Sequence, residues 1–192
     1  MGSMFRTLNT AKLIAAVILL TAGCAISSWG QVVPTATSGS DIGAYASFGG
    51  ERTHVIHFTY NSLGIDGGLF LQKSRFFGIE VRGGSFSMHA RYPQAPVTAG
   101  YRVEVRPNWF KHPRLSAYIG GGESLATDAG THYVALPQQW DPCWQASQSM
   151  SLPVGHRFEW MVYQGTWTQT YTPLRNLYAY TVTTGIVYRI KK

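Results

Sequence analysis

Six histidines, His54, His57, His89, His112, His132 and His156, are the side chains that invite a search for chemistry. His54 and His57 are three apart, a spacing that presents two imidazoles to one metal on a helix but points them to opposite sides on a strand. They read as polar loop residues, and no metal ligands are assigned. Ser62 or Ser87 beside His57 or His89 supplies the types of a nucleophile and a base, which would also need an orienter, and ordinary loop serines and histidines account for them better. Glu159 with Glu80 or Glu104 could form a carboxylate pair for acid–base work. Each of these glutamates has an arginine two residues away, however, and ion pairing accounts for them more simply. The "GGG" at 120–122 lacks the strand-to-helix setting of a phosphate loop and eases strand curvature or close packing instead. No catalytic residue and no cofactor is assigned.

The elements that position these residues begin after an export segment. Arg6 and Lys12 precede the apolar run "LIAAVILLTAGCAI" at 13–26, and Ser28 and Gly30 occupy the small-residue positions before a cut near Gly30/Gln31. Residues 1–30 are read as a signal peptide, 31–40 as a short periplasmic lead-in, and 41–192 as one domain. A retained anchor is disfavoured, because the run is shorter than the roughly 18 to 20 apolar residues a spanning helix needs. Lipidation at Cys24 ranks below ordinary cleavage, since Thr21 stands where a lipobox has leucine. After cleavage Cys143 is the one cysteine left, which excludes an intramolecular disulfide. Arg6 and Lys12 leave with the signal, so the formal charge of +7 falls by two. Export and the scatter of Lys73, Arg75, Lys111, Arg114, Lys191 and Lys192 through turns and the terminus exclude nucleic acid as a partner.

From Asp41 onward, apolar and polar residues alternate at period two between turn signals, and no amphipathic helix of useful length can be drawn. The alternation predicts eight strands, at 41–50, 63–71, 77–87, 97–106, 115–124, 143–152, 157–168 and 178–190. An even number of antiparallel strands with short turns at one end and longer loops (51–62, 88–96, 125–142 and 169–177) at the other predicts an all-β, eight-stranded up-and-down transmembrane barrel, its short turns toward the periplasm.

The two faces of these strands differ in kind. One carries Ile42, Ala44, Ala46 and Phe48, then Phe77, Ile79 and Val81, and finally Tyr180, Val182, Thr184, Ile186, Tyr188 and Ile190, with no charged residue on it. Gln148, Gln164 and Ser85 are its polar exceptions. A lysine or arginine there would cost about 2–4 kcal/mol at the bilayer midplane. The other face carries Asp66, Glu80, Arg82, Arg102, Glu104, Arg106, Arg157 and Glu159. An eight-stranded barrel is just wide enough for side chains to fill, so these eight are expected to pair across a plugged lumen. A soluble lipocalin-like barrel would have the opposite arrangement, apolar inside and polar outside. Aromatics near the strand ends, Phe76, Phe77, Trp109, Phe110 and Tyr188 at one and Tyr92, Trp140, Trp144, Trp167 and Tyr178 at the other, fit interfacial girdles.

The closing "TTGIVYRI" resembles the assembly signal of bacterial outer-membrane barrels, with Thr183, Gly185, Tyr188 and Ile190 on the pattern. It departs in having Ile190 where an aromatic is usual and in the added Lys191 and Lys192. With "FFGIEVRGG" (76–84), "YRVEVRP" (101–107), "LSAYIGGG" (115–122) and "FEWMVYQGTW" (158–167), nearly the whole mature chain is similar to small outer-membrane barrels of the OmpA/OmpX-like superfamily, particularly those of acidobacterial type. The resemblance implies residence in the outer membrane of a Gram-negative envelope, contact with its lipid, and recognition of the last strand by the barrel-assembly machinery. A monomer with a non-enzymatic role in envelope integrity, or in surface contact with an extracellular ligand through its loops, is the expectation. A narrow porin-like channel and a lipid A-modifying enzyme are the rivals. An "HxSN"-like arrangement of the deacylase kind is absent from the sequence.

Overall fold

The computed structural model describes residues 41–55, 58–84, 94–108, 112–126, 139–173 and 176–191. The signal segment, the lead-in and Cys24 lie outside the described residues. Among the described residues every regular element is a strand: β1 Asp41–Val55, β2 Phe58–Ser74, β3 Phe77–Gly83, β4 Gln94–Val105, β5 Arg114–Ala126, β6 Gln139–Pro153, β7 Phe158–Tyr171 and β8 Asn176–Lys191. Each pairs antiparallel with its neighbours in sequence, and β8 closes on β1, giving the eight-stranded transmembrane barrel. β1 and β8 pair over the full length of β1, from Asp41↔Lys191 to Val55↔Leu177.

Following paired residues once around, from Asp41 through Gln72, Gly78, Arg102, Tyr118, Ser147, Thr166 and Thr181, returns to β1 at Glu51. That stagger of ten residues tilts the strands and fixes which inward side chains share a level. Closure leaves no sheet edge along the paired length, which a backbone crossing hydrocarbon requires.

The face reversal is complete. Phe48, Leu69 and Ile186 are 65, 66 and 59% exposed, whereas Glu80 and Arg189 are 1% exposed inside. The lumen is not purely ionic, because Tyr45, Phe70, Met161 and Val187 form a buried apolar layer within it. The tip of the Phe70 ring sits over Gly43, where a Cβ would stand 2.2 Å from its Cζ. Glycine at 43 is therefore what lets the ring cross the lumen.

The strands run past several expected ends. β1 and β2 extend as a hairpin to Val55 and Phe58, so most of 51–62 is strand. β5 reaches Ala126, β6 starts at Gln139, β7 ends at Tyr171 and β8 starts at Asn176. Toward these strand ends both faces are polar, as with Glu51 and Thr53 inward beside Arg52 and His54 outward, and alternation in hydropathy fades while the ladder continues. β3 is shorter than expected and ends at Gly83. Ser85, Tyr92, Trp109 and Phe110 lie outside the described residues.

Gln164 is corrected from outward to inward. The register between β7 and β8 shifts between Met161 and Gln164, so Val162 and Tyr163 form a bulge that inverts the parity of the rest of β7. Gln164 is buried in the lumen at 1% exposure, followed inward by Thr166, Thr168 and Thr170. Gln148 does stand on the outer side, where it donates to the Tyr163 hydroxyl at 3.4 Å.

Candidate functional site in the lumen

Strand parity aims Glu80 and Arg82 of β3 and Arg102 and Glu104 of β4 at the axis, and the register sets Gly78 beside Arg102 and Glu80 beside Gly100. The small neighbours leave room for long side chains. Glu80 is saturated: Arg82 and the Tyr45 hydroxyl (3.1 Å) donate to Oε1, and Arg102 donates to Oε2 at 2.6 Å. Arg102 also reaches Glu104 at 3.3 Å. The same guanidinium lies over the Phe70 ring, 4.2 Å from its centroid, while Arg82 lies 4.0 Å over Tyr118. Stacking covers the guanidinium faces while their edges bind carboxylates.

A second cluster fills the end bearing the short turns. Arg189 reaches Glu104 at 2.7 Å, Asp41 at 2.9 Å and Glu159 at 2.8 Å. Arg114 meets Glu159 at 2.6 Å and Glu104 at 3.2 Å, and Ser151 donates to Glu159 at 2.7 Å. Arg106, at the mouth and 42% exposed, meets Glu104 and Asp41 at 3.3 Å. Glu104 joins the two clusters, since Arg102, Arg106, Arg114 and Arg189 all touch it. Buried charges of this kind persist only when each is paired and hydrogen-bonded.

Of the eight residues expected in the lumen network, Glu80, Arg82, Arg102, Glu104, Arg106 and Glu159 are brought together. Asp66 is buried, but an amide and a hydroxyl hold it rather than a guanidinium: Gln164 donates at 2.6 Å and Thr166 at 3.4 Å. Arg157 is a correction. It lies exposed in the β6–β7 turn, with its guanidinium 3.4 Å from the Tyr188 hydroxyl on the outer wall. Its place in the cluster is taken by Arg114 and Arg189, with Asp41 as a further acid. Arg114 had looked like one of the scattered turn cations, because β5 begins one residue earlier than the alternation suggests. Arg189 shares the inward parity of Val187, a signal the terminal strand did carry.

Toward the opposite end the lumen changes chemistry. Tyr118 donates to Thr98, Thr98 to Gln145 and Gln145 to Thr168, at 2.9, 2.7 and 3.0 Å. Thr170 donates to Gln94 at 2.9 Å. Glu51 accepts from Thr53 and Ser62, and Asp141 from Gln139. Cys143 faces this region, buried.

Among the described residues, no group of three or more His, Cys, Asp or Glu side chains is placed to hold a metal ion. His54 bonds Thr59 at 3.1 Å, and His112 and His156 are exposed in turns. His57, His89, His132 and Ser87 lie outside the described residues. The carboxylates that could have served as an acid–base pair are bridged by guanidinium groups, Glu80 to Glu104 by Arg102 and Glu104 to Glu159 by Arg189. The arrangement supplies fixed, paired charge buried within the lumen.

At the carboxyl end, Thr183 points inward and donates to Ser47 at 3.0 Å. Gly185 packs against β1 so closely that a Cβ would stand 2.1 Å from the Ala46 carbonyl oxygen. Tyr188 and Ile190 face outward opposite Ala44 and Ile42.

No protein-family model and no curated protein matches the sequence. Solved structures do match in fold. Neisserial surface protein A (NspA) aligns with a TM-score of 0.62 at 8% identity, over 80% of this chain and 98% of that one. The outer membrane protein OprG from Pseudomonas aeruginosa aligns at 0.52 and 7% identity, over 81% of this chain and 97% of that one. The likeness is one of fold.

Proposed function

We propose that the chain is exported and resides as a monomer in the outer membrane of a Gram-negative envelope, where it acts without catalysis as a plugged barrel. Its role on this reading is envelope integrity, or surface contact through the hairpin ends and loops away from the short turns. Recognition of Thr183, Gly185, Tyr188 and Ile190 by the assembly machinery belongs to the same reading, supported by the way β8 closes on β1. The fold likeness to a protein named as a surface protein points the same way.

The observation that carries it is the layer of Asp41, Glu80, Glu104 and Glu159 interlocked with Arg82, Arg102, Arg114 and Arg189, which spans the lumen near the short turns. An ion entering from the polar half would have to break several charge-assisted bonds to pass. Planar-bilayer recording of the folded protein tests this. The expected trace has no stable open current, and Arg102→Ala raises the leak. A steady open current in the unaltered protein would turn the assignment to a narrow small-solute channel. Mass spectra of lipid A from cells making the protein test the enzyme alternative, with unchanged acylation expected.

A further inference from the structure

Cations that the sequence spreads through separate connections meet at one rim of the barrel. Lys73 and Arg75 stand at the β2–β3 turn and Arg157 in the β6–β7 turn, all exposed at the end where the short turns lie. The described carboxylates of that end, Asp41, Glu104 and Glu159, are engaged by arginines inside the lumen. The outward charge of this rim among the described residues is therefore positive.

Their surroundings identify what they face. Arg157 lies on the lipid-facing wall beside the Tyr188 hydroxyl, and the Tyr188 ring packs 5.1 Å from that of Phe158. Phe158 is 54% exposed and Val154, in the same turn, 71%. The second patch repeats the pattern: Lys73 and Arg75 adjoin Phe76 and Phe77, which are 59 and 53% exposed, and Phe77 meets Tyr101 edge-on at 6.2 Å. Exposed phenyl rings are costly in bulk water, and rings set beside cations suit the boundary where acyl chains meet headgroups.

We infer that these two patches bind the phosphodiesters of anionic phospholipids in the leaflet on the short-turn side, Arg157 with Tyr188 at one and Lys73 with Arg75 at the other. A guanidinium offers paired donors to phosphate oxygens, and the tyrosine hydroxyl adds a third. A cell-wall polymer is the less suitable partner, because both patches lie beside the apolar wall.

The test uses the full mature chain folded into phosphatidylcholine vesicles carrying a trace of spin-labelled phosphatidylglycerol or spin-labelled phosphatidylcholine. The motionally restricted fraction should favour phosphatidylglycerol. Arg157→Gln and the pair Lys73→Gln with Arg75→Gln should each weaken that preference by about fivefold per cation removed, and the triple variant should abolish it. Equal restriction of the two lipids by the unaltered protein, or a preference that survives in the triple variant, would overturn the proposal. A triple variant that loses only its sedimentation with isolated peptidoglycan would overturn it in favour of the cell wall. The proposal rests on the membrane reading, and the two fail differently: a chain that never inserts defeats both, whereas insertion without headgroup preference defeats this one alone.

Discussion

Arg189 of β8 and Glu104 of β4 stand 85 positions apart in sequence and meet at 2.7 Å on the barrel axis. Neither has a full set of partners within its own hairpin. Arg189 also holds Asp41 and Glu159, so its removal leaves three lumen carboxylates short of charge. Arg189→Met should destabilise the folded barrel by about 3–5 kcal/mol. Urea unfolding in lipid vesicles measures it, and a loss below 1 kcal/mol would mean that the remaining arginines absorb the vacancy.

The bulge at Val162 and Tyr163 sets the parity of the upper half of β7. Gln164→Leu keeps the volume but withdraws the amide from Asp66, and should cost about 1.5–3 kcal/mol, the worth of a hydrogen bond to a charged group. Deleting Gly165, just beyond the bulge, should be far worse, because it turns Thr166 and Thr168 to lipid and Trp167 into the lumen, whereas deleting Val162 removes the extra residue and keeps them inward. The yield of heat-modifiable, folded protein on unheated gels would show both effects, and folding of the Gly165 deletion at normal yield would refute the parity assigned beyond the bulge.

Gly185 lies at the seam where the barrel closes. Gly185→Val places a branched side chain against the Ala46 carbonyl and Ser47, and should cost about 1–3 kcal/mol or prevent closure. Thr184→Val, next to it and facing outward, should be milder. Comparing the two by folding yield and urea midpoint separates a packing effect at the seam from a general intolerance of the last strand.

Depth along the outer wall sets the cost of a charge. Val81→Arg, on a strand middle and 52% exposed, should cost about 2–4 kcal/mol, while Phe76→Arg in the turn should cost no more than about 1 kcal/mol. Equal costs at the two sites would argue against a bilayer around this wall.

Much of this was readable from the chain. Hydrocarbon outside forces every outward position to be apolar or internally bonded, so Ile79, Val81 and Ile186 announced the outer wall, and the opposite parity announced Glu80, Arg82, Arg102 and Glu104. What escaped depends on single-residue events that period two does not record. The bulge moved Gln164 inward. The first residue of β5 brought Arg114 into the lumen, and the turn after β6 carried Arg157 outside. Partner choice was also hidden, since parity says that Asp66 and Arg82 face inward but not that Asp66 binds Gln164. The upper strand ends were illegible for a further reason: where water lies on both sides, as around Thr53 and His54, no contrast marks the ladder.

Glu104 accepts arginines from four different strands or strand ends, β4, the β4–β5 connection, β5 and β8. A nascent chain holding only its first seven strands would carry that carboxylate, with Asp41 and Glu159, without Arg189 and with one side of the sheet open to hydrocarbon. Such a half-built form would hold three carboxylates each one arginine short and a strand edge without its partner. Arrival of β8 would supply both at once, Arg189 to Asp41, Glu104 and Glu159, and a pairing partner to β1 and β7.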